Sequence, residues 1–242
     1  MAPRLRWTKC CNAAKQHANP VPALGVASSR RRFAPGNARE VRLEALQYGP
    51  LAASCAHLCV DMQNLFAQET EWHTPWMERV LPVVERIAQA RPERTVFTRF
   101  IPAERPDDAT GTWRRYYERW RNMTLDALPA DLVALVPPLL RLVPPAAVID
   151  KRVYSPWIDP ALDRVLRGRD IDSLIITGAE TDVCVLATVL GAVDRGYRVV
   201  IATDAICSSS DQTHDALLTL YRSRYGQQVE TAEADDILRC WR

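Results

Sequence analysis

Residues 173–185 read Ser173-Leu174-Ile175-Ile176-Thr177-Gly178-Ala179-Glu180-Thr181-Asp182-Val183-Cys184-Val185. The opening run is aliphatic and β-branched with no polar alternation, which predicts a strand covered on both faces, as in a parallel sheet. Gly178 ends that strand, and a helix is expected to begin near Thr181-Asp182, run to Arg195 and stop at Gly196. Outward from this strand–helix step the same pattern repeats. Short apolar runs at 56–60, 95–98, 147–149, 173–177, 198–202 and 228–230 alternate with helical patterns at about 75–90, 112–122, 129–136, 160–167, 181–195, 212–225 and 234–239. Alternation of this kind builds βαβ units around a parallel sheet. The expected fold is therefore α/β, a three-layer α/β/α sandwich with a six-stranded, mostly parallel, doubly wound sheet, forming a single domain over residues 54–242.

Composition excludes several classes. At 242 residues the chain is too long for a disulfide-stapled miniature fold, and no run approaches the roughly eighteen apolar residues a membrane-spanning helix needs. The net charge of +2 hides an asymmetry: residues 1–42 carry nine Lys/Arg against one acid, and residues 43–242 carry 22 Lys/Arg against 28 acids. The basic character belongs to residues 1–45, which are read as a disordered extension, either a targeting segment or an over-extended start. An acidic folded portion without a basic stripe does not suit nucleic acid. Seven cysteines without a CxxC pair point to free thiols in a reducing, cytoplasmic setting.

Open parallel sheets bind ligands beyond the carboxyl ends of their strands, so the residues just past each strand matter most. Asp61 follows the first strand, Lys151 follows the third, and Cys184 lies in the first turn after the fourth. A cysteine attacks carbonyls as thiolate, and the unpaired amides and dipole at a helix start favour that anion. Asp61 is suited to take the thiol proton and return it to a leaving nitrogen. Lys151 is suited to hold both groups by charge. Lys151 is also the only lysine among the 22 basic residues of 43–242. A compact ammonium at that position does a job that a planar guanidinium does not.

Three segments together resemble one family. Val60-Asp61-Met62-Gln63-Asn64, Ile149-Asp150-Lys151-Arg152-Val153-Tyr154-Ser155 and Gly178-Ala179-Glu180-Thr181-Asp182-Val183-Cys184-Val185 are similar to the signature segments of the isochorismatase-like cysteine hydrolases, in order and at compatible spacing. That superfamily includes nicotinamidases, N-carbamoylsarcosine amidases and ureidoacrylate amidohydrolases. The resemblance implies an Asp61, Lys151, Cys184 triad and a cis peptide between Ala179 and Glu180. It further implies an oxyanion hole from the amides of Glu180 and Cys184, and hydrolysis of a small amide or ureide through an acyl-thioester. Members that cleave the vinyl ether of isochorismate lack the nucleophilic cysteine, so Cys184 disfavours that reaction. A catalytically silent binding or scaffold protein of the same fold is the other alternative. Family members often form dimers or tetramers, and a homo-oligomer is expected.

The segment after the second strand, Phe97 to Pro106, has no histidine, whereas nicotinamidase-type members carry a metal-binding Asp/His/His cluster there. No metal, no other cofactor and no nicotinamide substrate are expected. Phe66, Phe100, Tyr154 and Trp157 are the expected pocket walls, with Arg99, or Arg152, as a bidentate partner for a substrate carboxylate. The aromatics Trp113, Tyr116, Tyr117 and Trp120 fall at helical spacing and read as a packed face or subunit interface in preference to a substrate lid. His214 is expected to pack or to make a supporting hydrogen bond.

Overall fold

The two central strands, β1 (Cys55–Val60) and β4 (Ser173–Ala179), are buried at every position, as a strand covered by helices on both faces must be. This is seen in a computed structural model that describes residues 46–242; the expected extension over residues 1–45 lies outside the described residues, except for its neighbour Leu46 onward. Around the central pair stand β2 (Thr95–Phe100), β3 (Ala147–Lys151), β5 (Arg198–Cys207) and β6 (Val229–Ala232). Their order is β3-β2-β1-β4-β5-β6, and every pairing is parallel.

The two-residue period of the strands divides the core into two layers. Cys55 and Cys59 of β1, Phe97 of β2, and Ile175 and Ala179 of β4 face one side. There they meet α2 (Met77–Ala90) through Val84 and Ile87, and α8 (Ala234–Cys240) through Ile237. Ala56, Leu58, Val60, Leu174 and Ile176 face the other side. There they meet α5 (Ala161–Arg167), α6 (Leu186–Asp194) and α7 (Asp211–Ser223) through Leu162, Val189 and Tyr221. The chain runs outward from β1 to β3, then crosses back to start β4 on the other flank of β1. The carboxyl ends of β1 and β4 thus border the crevice where the winding reverses, which is where this topology binds ligands.

Several elements differ from the sequence expectation. β2 continues to Phe100 and β3 to Lys151, because the ladder persists through Arg99 with Asp150 and Phe100 with Lys151. Lys151 is therefore the last residue of β3 and not the first beyond it. The helix expected at 129–136 is only a 3-10 turn, Ala130–Val133. Leu135 instead bridges to Gln63, whose side-chain amide donates to Val133 O and Phe100 O, and Pro137 follows, which biases the residue before it toward extended backbone. The helix expected at 112–122 is α3 (Thr112–Arg119), after which a separate 3-10 turn forms while Thr124 Oγ1 donates to Arg121 O. Two four-residue helices, α1 (Asn64–Ala67) and α4 (Pro137–Leu140), were too short to leave a periodic signal.

Gly178 makes the closest approach in the sheet. It pairs with Val60 at a φ of +108°, and a Cβ there would sit 2.1 Å from Val60 O and 2.7 Å from Val60 N. Only a residue without a side chain lets β4 run against β1 just before Asp61. Gly196 has a φ of +80° at the end of α6, but open space where a Cβ would go. Both positions strain a side chain by backbone geometry, and only Gly178 adds a clash. Gly178→Ala is expected to lower unfolding stability by about 2 kcal/mol more than Gly196→Ala, read as the difference in urea midpoints.

His57, fully buried on β1, lies with Nε2 2.8 Å from Thr177 Oγ1 and Nδ1 3.4 Å from Thr95 Oγ1. Burial pushes its pKa down from 6.5 to about 3. The folded chain then resists a proton that the unfolded chain accepts below pH 6.5, so this residue makes stability fall as pH drops toward 3. The slope is at most about 1.4 kcal/mol per pH unit. Urea midpoints at pH 7 and pH ~4.5 should differ less in His57→Gln than in the wild type.

Candidate active site

Asp61 is the first residue past β1, fully buried, with a φ of +52°. Its position is fixed from β2: its amide donates to Thr98 O and Thr98 Oγ1, each at 3.2 Å, and Thr98 Oγ1 donates to Asp61 Oδ1 at 2.6 Å. Lys151, 4% exposed, brings Nζ to 2.6 Å from Asp61 Oδ2. That approach is a buried ion pair, with both side chains almost wholly out of water. The same ammonium donates to Cys184 Sγ at 3.3 Å and to Val153 O at 3.2 Å, and lies 5.1 Å from the centre of the Phe100 ring. One buried cation thus touches both the carboxylate and the thiol.

Cys184 lies in a wide helical turn, Thr181–Val185, that leads into α6. Glu180 O accepts from the amides of Val183 and Val185, and Thr188 Oγ1 donates to Cys184 O at 2.7 Å. The bond between Ala179 and Glu180 is cis. Three contacts pin the turn to the first turn of α7 and the segment before it: Ser209 N donates to Glu180 Oε1 at 2.9 Å, Ser208 Oγ donates to Asp182 Oδ1, and Thr181 Oγ1 lies 2.9 Å from His214 Nδ1. His214 therefore supports the turn by a hydrogen bond. Sequence reasoning missed the parts played by the Thr98 and Ser208 hydroxyls and by the Ser209 backbone amide, none of which carries a spacing signal.

Burial pushes the Cys184 thiol well above its ordinary pKa and Asp61 adds to that, while Lys151 pulls the other way. For Lys151 burial works to lower the pKa, but Asp61 and Cys184 outweigh it and hold the ammonium protonated. The resting site is an Asp61–Lys151 ion pair beside a protonated thiol.

Cys184 opens into a cavity of about 260 Å³. Phe66, Phe100 and Tyr154 line it, and so do Trp72, Tyr116 and Trp120, which were not expected there. The α3 aromatics are thus partly wall and partly packing: Tyr117 is buried, while Trp113 stacks 4.8 Å from Tyr154. Their i, i+4 spacing put Tyr116 and Trp120 on one face but did not say what that face meets. Two expectations are corrected. Trp157 lies in the opposite core layer, where its Nε1 donates to Thr188 O at 2.9 Å and its ring fills the space over Gly191, because the chain after β3 turns toward α5. Arg99 is bound bidentately to Asp150 at 2.7 and 2.8 Å and does not line the cavity. Strand alternation accounts for this, since Thr98 and Phe100 take the face toward the site. Arg152 lines a separate cavity of about 340 Å³.

The residues at the end of β2 do not suit a metal. Among the described residues no group of three or more His, Cys, Asp or Glu side chains is gathered to hold an ion.

An isochorismatase-domain family model matches residues 55–233. The chain belongs to the isochorismatase family. Nicotinamidase of Escherichia coli (strain K12) is 30% identical over 187 residues, covering 66% of this chain and 86% of that protein. The uncharacterized isochorismatase family protein YwoC of Bacillus subtilis (strain 168) is 31% identical over 106 residues, 44% of this chain. The chain spans about half the length of curated relatives such as this one, 56% of YwoC. A crystal structure of a cysteine hydrolase from Pseudomonas syringae pv. phaseolicola 1448A superimposes with a TM-score of 0.64 at 25% identity, over 77% of this chain and 92% of that one. No helix among the described residues of this isochorismatase-family chain is long and apolar enough to cross a membrane.

Removing Lys151 takes away the one charge that lowers the Cys184 pKa and leaves Asp61 buried without its partner. Lys151→Met is expected to slow iodoacetamide alkylation of Cys184 at about pH 8 by tenfold or more, and to cost roughly 3–5 kcal/mol of stability. Asp61→Asn combined with Lys151→Met should recover most of the stability and none of the alkylation rate. Equal rates in wild type and Lys151→Met would remove the ammonium from any role in activating the thiol.

Proposed function

We infer that this chain hydrolyses the C–N bond of a small amide or ureide through a Cys184 thioester. The observation that carries the reading is the buried ammonium of Lys151, which lies 2.6 Å from a carboxylate oxygen and 3.3 Å from a thiol at the wall of a cavity. A structural thiol has no need of a buried ion pair beside it, and such a pair is costly to keep.

Asp61 takes the proton from Cys184 Sγ as the substrate arrives. The thiolate adds to the carbonyl carbon. The oxygen that becomes negative is met by the amides of Glu180 and Cys184, in the first turn after the cis bond, where helix-start amides have no partner within the helix. Lys151 remains charged throughout and compensates whichever of Sγ and Asp61 carries the negative charge. Asp61 then gives its proton to the departing nitrogen, the C–N bond breaks, and the acyl group stays on sulfur. A water molecule, deprotonated by Asp61, attacks the thioester carbonyl. Collapse of that adduct expels the thiolate, which recovers its proton from Asp61, and the acid or carbamate leaves. The E. coli nicotinamidase relative supports the class of bond cleaved.

Ammonia release measured across small primary amides, ureides and carbamoyl amino acids tests this. At least one class should turn over, and Cys184→Ala should reduce that rate by about 10³-fold or more. Undiminished hydrolysis in Cys184→Ala would falsify the thioester route.

A further inference from the structure

The cavity beside Cys184 carries more aromatic surface than a small acyl group needs, and its fixed charges are of one sign. Trp72 is the hub, with ring centres 6.3 Å from Phe66, 5.8 Å from Phe100, 5.8 Å from Tyr116 and 6.5 Å from Trp120. Two carboxylates share the lining, Glu71 and Glu180. Both are held in place: Asn122 Nδ2 donates to Glu71 Oε1 at 2.7 Å, and Ser209 N donates to Glu180 Oε1 at 2.9 Å. Among the described residues that line the cavity none is Arg or Lys, and His73, which does line it, lies with Nδ1 3.7 Å from Glu69 Oε1. Three cations of neighbouring elements are engaged elsewhere. Lys151 is matched by Asp61 at 2.6 Å, Arg99 by Asp150, and Arg119 stacks on Trp120 at 5.1 Å without lining the cavity.

Ring faces carry a negative quadrupole, so an aromatic cage attracts cations, and two carboxylates at its wall add to that attraction. An anion entering the same space meets repulsion from both and finds no bidentate partner. At about 260 Å³ the space lies below the ~300–1,000 Å³ usual for drug-sized ligands. It suits a single ring.

From this juxtaposition we propose that the scissile amide is carried on a small, flat cation, a quaternised or protonated nitrogen heterocycle, packed against the Trp72 cluster with Glu71 and Glu180 as counter-charges. Carboxylate-bearing amides, including the carbamoyl amino acids that Arg99 was expected to hold, are the class the cavity rejects. Hydrolysis of the amide rests on the function proposed above; recognition of the cation does not.

Two measurements on the full chain separate these. In the first, N-methylpyridinium and benzoate compete with iodoacetamide at Cys184, read by the mass of the Cys184 peptide. N-methylpyridinium is expected to protect at a concentration at least tenfold lower than benzoate, and Glu71→Gln to raise its half-protecting concentration about three- to tenfold. Benzoate protecting as well as the cation, or protection indifferent to Glu71, overturns the proposal. In the second, ammonia release from para-carbamoyl-N-methylpyridinium is compared with release from para-carbamoylbenzoate. Turnover of the cation at a kcat/KM at least tenfold higher supports the proposal, and preference for the anion overturns it while leaving the hydrolase reading intact. Charge-selective protection without hydrolysis of either amide supports the cation cage and counts against the hydrolase.

Discussion

Everything at the open end of the sheet is arranged around one contact, the ammonium of Lys151 held between Asp61 and Cys184 in a space that water barely reaches. Desolvating that carboxylate and that ammonium costs several kcal/mol per ion, which the attraction between them offsets only with good geometry and supporting hydrogen bonds. The supports are identifiable. Thr98 Oγ1 donates to Asp61 Oδ1, and Val153 O accepts from Lys151 Nζ. With Phe100 packed 5.1 Å from the ammonium, the pair is held from several sides at once.

The pair comes together only because the strands that bear it are locked in depth. β1 and β4 meet at Val60 and Gly178, one residue before Asp61 and six before Cys184. A side chain at Gly178 would push β4 away and carry the Cys184 turn with it. That turn is restrained from its other side by Ser208, Ser209 and His214. The thiol is thus set by a backbone approach within the sheet and by polar contacts from the β5–α7 segment, and neither constraint uses Cys184 itself. Placement of this kind lets a buried thiol keep a raised pKa at rest and still lie within reach of the Lys151 ammonium.

The layers of the fold were legible in the sequence because buried parallel strands leave continuous apolar runs, and 173–177 is the clearest of them. That Asp61, Lys151 and Cys184 meet was legible because strand ends in this topology point to one rim. Side chains whose direction depends on pleat or loop path were not. Arg99 and Phe100 are neighbours in sequence, yet a two-residue period sends them to opposite sides, and the expected strand end at 98 concealed that Arg99 still obeys it. Trp157 follows Lys151 closely but falls in the other core layer. Trp72, by contrast, stands in a loop between α1 and α2 with no periodic context, and joins the cavity only because α3 folds over it. The misread elements at 129–136 and 112–122 failed for a related reason, since local side-chain hydrogen bonds and proline took the carbonyls and backbone angles that a helix requires.

The identity of residue 151 shows how composition, packing and chemistry converge. In residues 43–242, 21 of 22 basic positions are arginine. On the surface that choice is sound, as the bidentate grip of Arg99 on Asp150 shows. At the end of β3 it would fail. A guanidinium spreads its charge over a plane and presents donors in a fixed fork, which suits two oxygens of one partner. Here one point of charge must lie near an oxygen, a sulfur and a backbone carbonyl that do not share a plane, with an aromatic ring beneath and 4% of the residue exposed. Three donors on one small nitrogen meet that demand. Lysine suits this position because the site asks for a charge that can face the carboxylate and the sulfur at once.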